Sequence, residues 1–224
     1  MFDTAVIMAG GKGTRMFPVS DYVPKPLIRI YDKPLIDHCI DNLTQCGITN
    51  IYVTYGYKSE LLTAHVERRV AGLINTIGQD NAYFLSNTIV KNITDPIIVM
   101  PCDIMMTFKF DEIYKEYSNT YSGAMACILP VKYKPGMNPD FIRHDSSHKI
   151  TEIGRSFKTD DCASGLQIVT PYLVNTLISK SMTNWNDVWQ TLITNKRLYQ
   201  LSSYAENWET FDKLEQLLTT NVTP

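Results

Sequence analysis

The sequence predicts an α/β fold built on a mostly parallel central sheet, and three observations carry that prediction. The runs Thr4 to Met8 and Pro96 to Cys102 are apolar without alternation, as strands covered on both faces are. Between such runs lie segments with apolar residues at helical spacing, beginning with Leu35, Cys39 and Leu43. The first run leads at once into a glycine-rich turn, and open sheets of this kind bind ligands outside the carboxyl ends of their strands.

The elements follow in order. Thr4 to Met8 is the first strand, Pro34 to Cys46 a helix with Asp32 as its expected cap, and Ile48 to Tyr55 the next strand, together a βαβ unit. Lys58 to Val70 reads as a helix with Leu62, Val66 and Val70 on one face, Gly72 to Ile77 as a weak strand and Pro96 to Cys102 as a strong one. Phe110 to Tyr117 is expected to be helical, Gly123 to Val131 a strand, and Phe141 to Ile153 a polar hairpin turning at Asp145, Ser146 and Ser147. A strand over Ser164 to Val169 precedes helices expected at Pro171 to Ser179, Asn186 to Thr194 and Glu209 to Leu218.

Composition narrows the function classes. At 224 residues with a net charge of −2 and 44% hydrophobic content, the chain suits a single domain, 1–224, with one sizeable core. That charge gives no global pull toward nucleic acid, and the pair Arg68 and Arg69 is expected on a solvated helix face. No apolar run approaches the ~20 residues that span a bilayer, and no basic leader precedes the first strand, so the expected location is cytoplasmic and no membrane partner is expected. Five scattered cysteines, Cys39, Cys46, Cys102, Cys127 and Cys162, fit buried reduced thiols and neither a disulfide framework nor a zinc site. His144 and His148 flank a turn and lack a third ligand nearby, which argues against a metal centre. Trp185, Trp189 and Trp208 suit core packing more readily than stacking on a small substrate.

The chemistry concentrates in Val6 to Leu27. Gly10, Gly11 and Gly13 let the backbone approach a ligand and offer successive N–H groups to an anion. Lys12 and Arg15 add charge within the turn, and Lys25 stands between Pro24 and Pro26 on a stiff tether. A polyanion such as a nucleoside triphosphate (NTP) is the expected ligand. A P-loop is excluded because Gly13 follows Lys12 where Ser or Thr is required, and the dinucleotide fingerprint fails at Met16 and at Phe17–Pro18.

Gly10 to Arg15 (GGKGTR), Pro24 to Leu27 (PKPL), Asp32 to Ile36 (DKPLI) and Met100 to Asp103 (MPCD) resemble, in order and spacing, the signature of the sugar-1-phosphate nucleotidyltransferases, or NDP-sugar pyrophosphorylases. The likeness is specific over about the first 60 residues and again around Asp103, and looser elsewhere. It implies a Rossmann-like three-layer sandwich with a mostly parallel mixed central sheet, of the nucleotide-diphospho-sugar transferase type, in a short form without a C-terminal β-helix. The implied reaction moves an NMP from an NTP to a sugar 1-phosphate and releases pyrophosphate, with Mg²⁺ as cofactor. A homo-oligomer is compatible with the family.

Carried onto this chain, the resemblance makes Arg15, Lys25 and Asp103 the candidate catalytic residues. Ala9, Gly10, Gly11, Lys12, Gly13, Thr14, Gln79 and Asn81 are the candidates for nucleotide binding, and Glu152, Arg155, Lys158 and Gly165 for acceptor binding. Asp103 and Asp212 are the candidate metal ligands. A carboxylate ending a buried strand, as Asp103 does, needs a cation or a partner in any case. Three departures stand out. Thr210 occupies the gapless position of the family's second acidic ligand, which leaves Asp212, with Glu215 as a neighbour. The stretch Asp80 to Asn87 replaces a GTAGA-like loop, and the lysine expected after Glu152 is missing. Asn81, Ala82 and Tyr83 are similar to a branch of cytidylyltransferases that act on phosphocholine or another phosphorylated alcohol, which is the alternative reading. A molybdopterin-type nucleotidyltransferase and a catalytically silent nucleotide-sugar sensor are further alternatives.

Overall fold

A computed structural model describes residues 2–220. The first strands are β1 (Thr4–Met8), β2 (Arg29–Ile30), β3 (Lys33–Pro34), β4 (Asn50–Tyr55), β5 (Gly72–Asn75), β6 (Ile97–Pro101) and β7 (Ile104–Thr107). The remaining strands are β8 (Ala126–Lys132), β9 (Phe141–His144), β10 (Ile150–Gly154), β11 (Asp161–Val169), β12 (Leu198–Gln200) and β13 (Glu206–Thr210). The helices are α1 (Leu35–Gln45), α2 (Ser59–Val66), α3 (Tyr83–Asn87), α4 (Phe110–Thr120), α5 (Pro171–Val174), α6 (Trp185–Thr194) and α7 (Leu214–Thr220).

The class is α/β, as expected, with a mixed central sheet between two helical layers. β5, β4, β1 and β6 lie side by side and parallel, and β11 joins β6 antiparallel to begin the mixed half with β8, β12, β9 and β10. Alternation along the strands explains the layers. Ala5, Ile7, Ile98 and Met100 turn toward α1, α2 and α4, while Val6, Ile97 and Val99 turn toward α3, α5 and α6. Each of those seven strand residues is at most 1% exposed, which is why their runs carry no polar alternation.

A third, smaller cluster matters for function. Met16, Ile28, Ile30 and Leu35 from the N-terminal segment bury against Phe211 and Leu217 near the other end of the described chain. This packing brings the residue after Arg15 and the residue before Asp212 into one apolar patch. Thus the hydrophobic effect, not the charges, selects which distant segments meet.

Several expected elements are corrected. Glu209 to Leu218 is not one helix: Glu206–Thr210 pairs antiparallel with β7, and α7 begins only at Leu214. The short strand β7 offers an open edge that overrides helix propensity there. Helix α5 stops at Val174 instead of continuing to Ser179, and α2 ends at Val66, short of Val70. Asp32 does not cap α1: with Tyr31 it takes positive φ in the β2–β3 turn, and Pro34 occupies the cap position. Arg69 is not simply solvated, because it bridges Asp37 and Asp41 of α1. The hairpin at Asp145 forms as expected, its Oδ1 accepting from the N–H groups of Ser147 at 2.8 Å and Lys149 at 3.0 Å. His144 and His148 stack with ring centroids 5.1 Å apart, and among the described residues no cluster of three or more His, Cys, Asp or Glu is arranged to hold a metal. No described helix is long and apolar enough to cross a membrane.

Candidate active site

The four parallel strands deliver their carboxyl ends to one cavity of about 350 Å³. β1 supplies Met8 and the glycine loop, β4 supplies Thr54, the segment after β5 supplies Thr76, Gln79, Asp80 and Asn81, and β6 supplies Pro101, Cys102 and Asp103. Its volume lies within the range of small-molecule sites.

Local geometry prepares the loop for an anion. Gly13 sits at φ +62, and a Cβ there would lie 2.9 Å from the Cβ of Lys25, so the turn and the Lys25 segment pack as only glycine permits. Among the described residues, nothing accepts a hydrogen bond from the N–H groups of Gly11, Lys12, Gly13 or Thr14. Those donors are available to phosphate oxygens. Ala9 lines the cavity, but its N–H is already donated to Thr54 Oγ1 at 2.9 Å. Lys12 is exposed and does not line the cavity.

The charged groups face one another in pairs. Lys25 Nζ bonds Asp103, with the two side chains 12% and 25% exposed. Arg15 bonds Asp212, the arginine side chain being largely exposed. The second pair follows from the β7–β13 ribbon, since the N–H of Phe211 donates to the carbonyl of Asp103 at 2.8 Å and so sets Asp212 beside it. Thr210 lies on the ribbon and does not line this cavity. Arg15 and Lys25 are thus opposed by Asp80, Asp103 and Asp212 in the same space. A triphosphate entering alone meets more negative than positive charge. Two carboxylates plus substrate oxygens are what Mg²⁺ ordinarily accepts, and Asp103 and Asp212 fit that donor set.

Two wider chambers adjoin. One, of about 670 Å³, shares Asp212 with the first cavity and is lined by Trp208, Trp189, Gly165 and Arg155. The other, of about 790 Å³, shares Met8, Asn81 and Pro101 with it. The strand β11 breaks register between Ala163 and Gln167, and Gly165 within this bulge has φ +96. The Trp208 indole donates to Ser164 O at 2.8 Å and pins the bulge. Asn81 ties the wall together, its Oδ1 accepting from the N–H of Trp185 at 3.1 Å.

A family model described as nucleotidyl transferase matches residues 4–154, two thirds of the sequence and all four parallel strands whose ends form the first cavity. The chain belongs to the nucleotidyl transferase family. A mannose-1-phosphate guanyltransferase from Debaryomyces hansenii is 26% identical over 208 residues, covering 87% of this chain and 57% of the relative. The chain therefore spans less than two thirds of the length of the curated relatives it matches. Among solved structures, a CTP:phosphocholine cytidylyltransferase from Streptococcus pneumoniae has a TM-score of 0.77 at 20% identity, covering 98% of this chain and 97% of that one. UDP-glucose pyrophosphorylase bound to UDP-glucose has a TM-score of 0.74 at 13% identity, with the same coverage. These likenesses show the shared fold.

For this family member, the structure gathers Ala9, Gly10, Gly11, Gly13, Thr14, Arg15, Lys25, Gln79, Asn81, Asp103 and Asp212 around one cavity. Arg155 and Gly165 line both adjoining chambers, Arg155 held to Asp140 by a 2.9 Å ion pair. Glu152 and Lys158 are not brought there. Glu152 faces Arg143 across the β9–β10 ladder, on the side of the strand opposite buried Ile153, and Lys158 is exposed. Sequence reasoning missed Thr54 and Thr76, whose signal was a polar residue at the carboxyl end of an apolar strand. It assigned the tryptophans mainly to packing, and all three do pack on the hydrophobic clusters, Trp185 at 4% exposed against Phe84, but each also lines one of the chambers.

Proposed function

We propose that this chain transfers an NMP from a Mg²⁺-bound NTP to a sugar 1-phosphate, yielding an NDP-sugar and pyrophosphate. The observation that carries the reading is the single cavity in which free loop N–H groups, two cations and two metal-competent carboxylates converge, open to chambers wide enough for a second substrate. The guanyltransferase relative, named for mannose 1-phosphate, supports this acceptor class. The expected compartment is the cytoplasm.

An oxygen of the acceptor phosphate attacks the α-phosphorus in line, the α–β phosphoanhydride bond breaks, and pyrophosphate leaves with the electron pair. The attacking oxygen is already anionic, so no general base is needed and catalysis is positioning with charge neutralisation. The loop amides from Gly11 to Thr14 hold the phosphate chain, Arg15 neutralises the leaving pyrophosphate, and Lys25 holds the phosphates at the reacting centre. Asp103 and Asp212 would hold Mg²⁺, which when bound screens the approach of two anions.

The test is pyrophosphate release from each of the common NTPs against sugar 1-phosphates, phosphocholine and inositol phosphate. Turnover with a sugar 1-phosphate is expected. Release with phosphocholine alone would transfer the assignment to the cytidylyltransferase reading, and tight NTP binding without release from any acceptor would mark a silent binding module.

A further inference from the structure

Gln167 is a buried polar residue of the central sheet, 2% exposed, two positions beyond the Gly165 bulge. Its Oε1 accepts the indole N–H of Trp189 at 3.0 Å. An indole nitrogen only donates, so the atom facing it must be the amide oxygen and the orientation of the amide is decided by chemistry. Among the described residues nothing accepts from the Gln167 Nε2, and the side chain lines the 790 Å³ chamber beside Trp189, Asn81 and Asn184. That NH₂ opens onto the chamber rather than being shut inside the protein, and so is free to donate to a ligand there.

The rest of that chamber has a matching character. Its one carboxylate among the described residues, Asp140, is already paired with Arg155, while amides from Asn81, Asn184, Asn186 and Gln190 line the wall. Such a surface can exchange hydrogen bonds with the hydroxyls of an acceptor. We propose that Gln167 is a specificity residue for the acceptor, its NH₂, oriented by Trp189, donating to a hydroxyl or ring oxygen of a polyhydroxylated acceptor. The inference rests on the nucleotidyl transfer reading above and deepens it.

The experiment measures initial rates for wild type, Gln167→Met, Gln167→Glu and Trp189→Phe, with NTP and acceptor varied separately and with a series of mono-deoxy sugar 1-phosphates. Gln167→Met removes the donor, and Gln167→Glu keeps an acceptor for Trp189 while removing the donor. Both are expected to lower kcat/KM for the acceptor by roughly 10-fold to 100-fold, chiefly through acceptor KM, with NTP affinity by calorimetry unchanged. One deoxy acceptor should cost wild type a similar factor and cost Gln167→Met almost nothing further, the non-additivity that a contact produces and a structural role does not. Trp189→Phe frees the amide to turn and should relax discrimination at that same hydroxyl, which keeps the idea testable should a Gln167 variant fail to fold. Wild-type acceptor KM in both Gln167 variants, or additive losses across the deoxy series, would overturn this role alone. Absence of pyrophosphate release by wild type with every acceptor would remove the functional reading as well.

Discussion

Replacing Lys25 by alanine should move two observables in opposite directions. Lys25 is tethered between prolines, 12% exposed, and bonded to Asp103 in the cavity proposed to receive the phosphates. At an effective dielectric near 20, a unit charge about 4 Å from another is worth roughly 4 kcal/mol. Only the charge that grows on the reacting phosphate between ground and transition state is differential, so about 3 kcal/mol is the reasonable share. That corresponds to a loss of kcat on the order of 10² to 10³. In the ligand-free protein the same cation neutralises Asp103 and opposes a divalent ion. Lys25→Ala should therefore bind Mn²⁺ on the order of tenfold more tightly in the absence of nucleotide, from relief of roughly 1.4 kcal/mol of repulsion. Pyrophosphate release reads the first effect, and Mn²⁺ titration by electron paramagnetic resonance reads the second. Turnover within threefold of wild type, or weaker metal binding in the variant, would refute the reasoning.

Further predictions concern neighbouring features. Gly165→Ala should destabilise the protein by about 1–3 kcal/mol and slow turnover, because φ +96 strains any other residue and the new Cβ would lie 2.7 Å from Ile104 Cδ1 and 3.0 Å from Pro101 Cγ. Thermal melts and steady-state kinetics read it, and an unchanged melting temperature would contradict the packing described. Burial raises the Asp161 carboxyl, but Lys132, Gln200 and Tyr204 more than offset this and leave it below the usual carboxylate range. Its contribution to stability is then complete above the unfolded value near ~3.9 and is lost as pH falls through the depressed folded value. Asp161→Asn should accordingly melt lower at pH 7 and show a flatter fall in melting temperature on acidification, and a parallel acid profile would count against that linkage. Burial pushes the thiols of Cys102 up to about 12 and Cys162 up to about 11, and raises Cys39 and Cys127 as well, so thiolate is scarce in all four at neutral pH. Alkylation of native protein at pH 8, read by mass spectrometry, should reach half-buried Cys46 first; earlier labelling of any of the other four would contradict their burial.

Much of the parallel half of the fold was legible because its signals are local. β1 ends at Met8, just ahead of Ala9 and the glycines Gly10 and Gly11, and the apolar run ending at Pro101 announces both β6 and Asp103 beyond its tip. The C-terminal ribbon was not legible. Glu206–Thr210 has no periodicity that marks a strand and takes its form from pairing with β7, itself too short to recognise. The candidate acceptor residues were hard to place for a related reason: Glu152 and Lys158 have suitable chemistry, and only the facing of β10 and the path of its loop remove them from the chambers.

By itself the sequence determined the α/β class, the glycine loop after β1 and the cations Arg15 and Lys25, because strand runs, glycine turns and proline tethers act within a few residues of themselves. The tertiary structure decided that Asp212 stands beside Asp103, that Glu152 faces away, and that Trp189 orients Gln167. Those outcomes depend on burial shared between residues far apart in the chain, as when Met16 and Phe211 pack together, and no local pattern encodes which distant apolar faces will meet.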